Sequence, residues 1–556
     1  MKKQPELRTL SSQTCSILFS ILMSVVSATS AADPALPCPA RCECRGETLD
    51  GVGPVYSVNC ADNGLSTVPD LAMLRGTGPS YGTGDQDAGT SVAGIDDKIQ
   101  LRLDKNQIGS IDRSQFISGL GIFKLDISRN KGLTEISEDA FENLSPTLER
   151  LSLEALKLTF NRPLSMVSRL SNLRLLSISH NNRRGYVPGA VEHVTVRLFE
   201  GPIKRSLQIL KMSHCGLRSL SEASLEGLSA LEELDLSNNW FTQVPDAVKS
   251  LPGLKTLSLF HCYIMKLADF SFIGLTQLTS LHLSANRLAE IEPFAFTGPE
   301  GSLEDLRMGR CHLTNVPTDA LKVLRKLTYL DLSENRFTEA GPGAFKGSYC
   351  LTELLISAAG MTFSDDAFSD QSECIVSLTM KQMGLTSIPR EAISKLTSLR
   401  RLSLDNNQIE SLPADAFSGI SASSIRLTGN PLTAIEDHAF RGLSSGLDIN
   451  LSHTKISGIE FLLGYAEDAI GSVNLDYAGL VCRCSMRDAL NATLLANIYG
   501  SCLSGTRQVM LSSRELPQIV EDACVQESKR NTGSQAQPMI EMWLTVALSF
   551  IGFSSL

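Results

Sequence analysis

The chain has 556 residues, 42% of them hydrophobic and 20% charged, with a formal net charge of −10. That mildly acidic balance disfavours nucleic acid or another polyanion as the main partner. The apolar fraction is ample for a folded core and argues against disorder.

In chain order, residues 1–32 read as a secretory signal peptide. Lys2, Lys3 and Arg8 precede an apolar run from Ser16 to Val26, and Ser30-Ala31-Ala32 supplies a small-residue cleavage site. Residues 33–75 form a cysteine-rich cap with Cys38, Cys42, Cys44 and Cys60. Such caps cover a core that repeats leave open, and a small cap in an oxidising compartment is held by disulfides. Four cysteines allow three pairings, and spacing alone does not choose among them. Residues 76–97 are a Gly-rich insert with turn chemistry, read as a flexible surface loop. It contains Gly78-Pro79-Ser80-Tyr81-Gly82, a formal G-x-S-x-G, without the strand before it and helix after it that a nucleophile elbow needs. With no H-E-x-x-H or phosphate-binding loop elsewhere, the sequence predicts neither an enzyme nor a cofactor or metal.

From 98 to 480 the phrase L-x-x-L-x-L-x-x-N-x-L recurs about sixteen times, roughly every 24 residues. One unit cannot bury its own core, so units must stack. The expected fold is α/β: a leucine-rich repeat solenoid, or horseshoe, with a parallel concave β-sheet and disulfide-capped ends. In the unit Leu231 to Phe241, alternation sends Leu234 and Leu236 inward and Glu233 and Asp235 outward. The ninth-position residues Asn106, Asn130, Asn181, Asn239, Asn286, Asn335, Asn407 and Asn430 should satisfy backbone groups of neighbouring turns. Phe116, Phe141, Phe272, Phe296, Phe345, Phe417 and Phe440 are assigned to a spine on the convex side. Cys215, Cys262 and Cys311 replace the ninth-position Asn as buried free thiols. Cys350 and Cys374 stand just before the first apolar residue of successive repeats, at ~4.8 Å strand spacing; a lateral disulfide is one outcome and two thiols the other.

The leucines are committed to packing, so binding falls to outward positions. The candidates are Lys211, His214, Glu232, Glu233, Asp235, Lys255, Phe260, His261, Arg307, Arg310, Tyr329 and Asp331, with His282 and Asp305 among them. His180, His214 and His261 share the eighth position, a pattern that invites a metal or pH-sensor reading, but the next repeat in line lacks a His and three ligands would have to converge. The segment from Arg183 to Arg205 lengthens one repeat by about ten residues and must bulge from the turn side. Asn143, Asn450 and Asn491 open N-x-S/T glycosylation triplets.

Residues 481–526 form a second cysteine-rich cap with Cys482, Cys484, Cys502 and Cys524. Residues 527–541 form a linker, with Asn531 as candidate attachment site, before an uncharged apolar tail at 542–556. Small site, spacer and tail match a glycosylphosphatidylinositol signal, whereas a spanning helix needs ~20 apolar residues.

Cysteine-flanked caps around repeats with an A-F segment make the chain similar to the extracellular leucine-rich repeat family, over about Cys38 to Cys524, and most similar in plan to members with a lipid-anchor tail. The resemblance implies the pairings Cys38–Cys44, Cys42–Cys60, Cys482–Cys502 and Cys484–Cys524. It also implies recognition of an extracellular or cell-surface protein ligand, in adhesion or as a receptor working through a transmembrane co-receptor. A secreted matrix or inhibitor-like binder is the alternative.

Overall fold

The computed structural model describes residues 38–74, 98–182, 189–347, 349–463, 465, 469–491 and 497–530. The signal segment, the Gly-rich insert, Asn531 and the apolar tail lie outside these residues. Two compact units are present: Met1–Lys157 with Ser165–Ser177 and Gly201–Ile203, and Leu158–Leu164 with Ile178–Glu200 and Lys204–Leu556.

The first unit opens with an antiparallel hairpin, Glu43–Leu49 against Gly53–Asn59. Its second strand continues in parallel through Ile99–Arg102, Ile122–Asp126, Arg150–Ser152 and Leu175–Ser177. The hairpin covers a sheet edge that would otherwise offer unpaired backbone groups. The disulfides Cys38–Cys44 and Cys42–Cys60 hold it to the first turn.

The second unit is a longer parallel ladder in strict leucine register. Leu234, Leu257, Leu281, Leu306, Leu330, Leu354, Leu378 and Leu402 pair in succession, each at most 1% exposed. Strands such as Glu233–Asp235 have three residues, too few to persist alone, so register and stacking stabilise them together. At the far end the antiparallel strands Ile498–Ser504 and Arg507–Met510 close the sheet, tied by Cys482–Cys502 and Cys484–Cys524. All four cap pairings agree with those the family resemblance implies. Cys350 and Cys374 are also joined, with Cα atoms 5.2 Å apart.

The ninth-position residues act as a ladder. Asn239 donates to its own repeat at Leu236 O (2.8 Å) and to the preceding repeat at Met212 O (2.9 Å), and accepts from Cys215 N (2.9 Å) and Leu217 N (3.2 Å). Asn286, Asn335 and Asn407 repeat that pattern. Cysteine and asparagine alternate along Cys215, Asn239, Cys262, Asn286, Cys311 and Asn335. Each thiol preserves one rung, Cys262 Sγ donating to Leu236 O at 3.3 Å and Cys311 Sγ to Leu283 O at 3.2 Å.

On the opposite side the repeats group in threes, a feature absent from the sequence reading. Val244-Pro245, Val316-Pro317 and Ile388-Pro389 recur about every 72 residues. After each proline comes a short helix, Asp246–Ser250, Thr318–Leu321 or Arg390–Ile393, and the spine position holds buried Val248, Leu321 or Ile393. The next two repeats carry stacked phenylalanines: Phe272 and Phe296 with centroids 5.8 Å apart, Phe345 and Phe368 at 5.4 Å, Phe417 and Phe440 at 5.6 Å. Their back segments pair as two-residue strands, Lys266–Leu267 with Glu290–Ile291, Glu339–Ala340 with Thr362–Phe363, and Ser411–Leu412 with Ala434–Ile435. Extended segments need a neighbour for their backbone groups, whereas a helical turn bonds to itself and proline has no N–H to give. The back ladder therefore starts afresh after each proline.

The long repeat does not simply bulge. Among the described residues from 189 onward, His193–Val194 pairs in parallel with Ser219–Leu220, and Val194, Leu198 and Phe199 are each at most 1% exposed. The apolar residues of this stretch pack it against the neighbouring repeats, with Leu164 N donating to Leu198 O and Leu198 N to Ser224 O.

Candidate binding face

In the second unit the residues flanking each central leucine align in rows across neighbouring strands. One row runs Glu233, Thr256, Ser280, Asp305, Tyr329 and the next Asp235, Ser258, His282, Arg307, Asp331. Lys211 extends the second row beside Asp235. A third row holds Phe260, and a fourth, at the mouth of the turn, holds His214, His261 and Arg310.

Many of these polar candidates are engaged with one another. Lys255 pairs with Glu232 at 2.9 Å, Lys211 with Glu233 at 4.0 Å, and Arg310 with Glu334 at 2.6 Å. These are exposed pairs, worth about 0–1 kcal/mol each, so a partner can displace them cheaply. Asp235 and Asp331 serve the backbone instead. Each accepts at 2.9 Å from the amide two residues on, Ser237 and Ser333 respectively, which fixes the turn out of the strand.

The eighth-position histidines also have a backbone explanation. That position is left-handed through successive repeats, with φ of 61° at His180, 55° at His214, 56° at Asn238 and 54° at His261. Asn and His are enriched in this conformation because their steric and hydrogen-bonding cost there is small. The rings of His180 and His214 stack with centroids 4.4 Å apart, and His261 Nδ1 lies 3.0 Å from Asn238 Oδ1. Among the described residues no group of three or more His, Cys, Asp or Glu side chains could hold a metal.

The face does assemble an aromatic and cationic belt. Phe260 packs on His282 at 5.1 Å and against His261 at 6.0 Å; His261 stacks with Tyr263 at 5.7 Å, and Arg287 covers the Tyr263 ring at 5.1 Å. On the strand next to His282, Arg307 lies over Tyr329 at 5.1 Å while its Nη2 holds Asp305 at 2.8 Å. Exposed cation–π pairs contribute about 0.5–1 kcal/mol and hold the rings in place. Burial pushes the His282 imidazole below its usual range, and the Arg307 guanidinium adds to this against the pull of Asp305, Asp331 and Asp235. The shift favours the neutral ring. Burial, then Asp331, holds the Tyr329 phenol above its usual value.

Tyr263 and Arg287 were missed because they lie past the strand, one residue beyond the ladder positions Cys262 and Asn286. Arg218 over Trp240, at 5.2 Å, continues the same flank. The available signal was an aromatic or arginine directly after the ladder residue in successive repeats.

Residues 205–264, 252–313 and 301–358 match the model described as Leucine rich repeat, and 371–463 the BspA type Leucine rich repeat region. The fold so defined is a leucine-rich repeat solenoid. No curated protein matches the chain. Among solved structures it is similar to the TLR13-ssRNA13 complex, at 20% identity and a TM-score of 0.51, covering 75% of this chain and 60% of that one. The Drosophila Toll-Spatzle complex is similar at 16% identity and a TM-score of 0.47, covering 71% and 62%. The chain thus spans less than two thirds of either neighbour's length, and the first likeness speaks to the fold alone.

Proposed function

We propose that this chain is a non-enzymatic cell-surface leucine-rich repeat protein that binds a protein ligand through the strand face of its second unit, in adhesion or as a receptor. The observation that carries this reading is the belt Phe260, His282, His261, Tyr263, Arg307 and Tyr329. Aromatic and arginine side chains dominate binding hot spots, and this set is half-buried or exposed on a rigid ladder rather than committed to the core. Phe260→Ala or Tyr329→Ala should cost ~2 kcal/mol or more of ligand affinity, measured by titration calorimetry, with little change in melting temperature.

The cap disulfides support an oxidising compartment, as the signal at 1–32 requires. Attachment through Asn531 by a glycosylphosphatidylinositol anchor rests on the sequence of 527–556, and signalling would then need a transmembrane co-receptor. Among the described residues no helix is long and apolar enough to cross a membrane. Phosphatidylinositol-specific phospholipase C should release the protein from intact cells; retention after treatment would contradict the anchor. Recovery of all the protein from the medium would favour the secreted alternative.

Glycosylation at Asn450 suits the geometry better than at Asn143. Asn450 uses its carbonyl oxygen, accepting from Ser452 N, Ser452 Oγ and Thr428 Oγ1, whereas Asn143 Nδ2 already donates to Phe116 O at 2.8 Å. Asn491 ends the helix Met486–Asn491. A sugar on Asn450 would shield the strand face toward the carboxyl cap.

A further inference from the structure

The net negative charge conceals a basic face on the first unit. Lys124 and Arg150 are register partners on adjacent strands, and Arg102 pairs with Asp126 one row over. Lys105 and Arg129 stand exposed at the left-handed eighth position of the first two of these repeats, with φ of 59° and 60°. Adjacent strands lie ~4.8 Å apart, so five cationic groups share a patch three strands wide.

Most carboxylates of this face are engaged, Glu47 with Arg45 at 3.2 Å among them, whereas Glu43 lines the recess beside Arg45. Asp104 holds Arg102 at 3.1 Å, Asp126 accepts from Ser128 N at 2.9 Å, and Glu154 accepts from Ser177 Oγ at 2.5 Å. Among the described residues Lys105, Lys124, Arg129 and Arg150 have no carboxylate within ion-pair distance. Burial, then the charge of Arg150, lowers the Lys124 pKa, with Arg102 adding to this against the pull of Asp126 and Glu47. Beside these rows a recess of about 300 Å³ is lined by Glu43, Arg45, Ser57, Asn59, Gln100 and Arg102. Its floor is polar: Ser57 and Gln100 are buried, and the Gln100 amide donates toward Ser57 Oγ at 3.4 Å.

We propose that the strand face of the first unit binds a sulfated glycosaminoglycan, with Lys105, Lys124, Arg129 and Arg150 taking sulfates along the polymer and the recess between Arg45 and Arg102 seating one sugar. Charge complementarity selects this occupant. The patch offers spaced, solvent-facing cations and hydrogen-bonding groups, which suit a hydrated polyanion whose charges repeat. A folded protein partner would call for aromatic anchors, and these lie on the second unit's face instead. The acidic residues Asp112, Glu135, Glu138, Asp139 and Glu142 fall outside these strands, on the segments that follow them, with Glu142 held by Arg113 and Arg169.

The test uses the purified full-length chain and immobilised heparin as probe, with hyaluronan, which carries carboxylates but no sulfate, alongside. Retention on heparin at physiological salt and not on hyaluronan is expected. Lys124→Ala/Arg150→Ala should weaken heparin binding by at least about tenfold, whereas Lys249→Ala/Lys322→Ala, on the back of the second unit, should not. Circular dichroism melting of each variant separates lost charge from lost fold, and Lys124→Arg/Arg150→Lys should retain binding. Absence of heparin binding, equal retention on both polymers, or heparin binding unaffected by the Lys124/Arg150 change would each overturn the proposal. So would equal displacement of heparin by a polyglutamate peptide, which would assign the face to an acidic protein segment.

Discussion

Asn239 shows how a single amide can hold two repeats together. Asn239→Leu would leave the Cys215 and Leu217 amides and the Met212 carbonyl without partners in the core, at about 1–3 kcal/mol each. Asn239→Cys keeps a donor for Met212 O and should cost less, a difference thermal denaturation would resolve. The natural thiols at this position are inert for the same reason that they fit. Burial raises the Cys262 and Cys311 pKa from 9.0 to about 12. Both should resist maleimide at pH 8 in the native protein and react once it is unfolded. The unfolded thiols ionise first, so their contribution to stability is intact below pH 9 and is lost as pH rises toward 12. At this scale the leucines, the Asn ladder and the cysteine substitutions were legible in the sequence because each is set by period and polarity. The roles of Asp235, Asp331 and the eighth-position histidines were not, because they answer to a local turn conformation that an outward position does not reveal.

Among the secondary elements, the grouping in threes was present in the sequence as Val-Pro, Val-Pro and Ile-Pro but is masked by the stronger single-repeat period. Seven spine phenylalanines were found, but Phe368, stacked on Phe345, was not among them; the replacement of the ring by Val248, Leu321 and Ile393 follows from the proline-led turn that changes the path of the back segment. Phe345→Ala should lose about 3–5 kcal/mol by opening a cavity beside Phe368, whereas Lys322→Ala, on an exposed helix one repeat earlier, should stay within about 0.5 kcal/mol of wild type. Urea denaturation of the two variants tests the pair. The segment from Arg183 to Arg205 was read as a bulge from the turn side because length alone marked it. Its burial depends on Val194, Leu198 and Phe199 meeting the back of the stack, a tertiary fact that repeat spacing does not encode.

Across the molecule, charge and aromaticity are sorted by face and by unit. Bulk composition averages the basic first-unit face with the acidic residues elsewhere, so a net charge of −10 does not reveal that face. The second unit presents rings and arginines, and most of its charged candidates pair with one another at distances a ligand can reopen. The most direct test of that face is a binding screen of the full-length chain against secreted and cell-surface proteins, run in parallel with Phe260→Ala/Tyr329→Ala and with Leu281→Ala. The account predicts a ligand that binds the wild type and is lost with the Phe260/Tyr329 variant while the melting temperature holds. Leu281→Ala should instead lower the melting temperature, by ~2–5 kcal/mol of stability. A ligand that binds the Phe260/Tyr329 variant at full affinity, yet is lost on substituting exposed residues among 189–205, would contradict the assignment of the binding face.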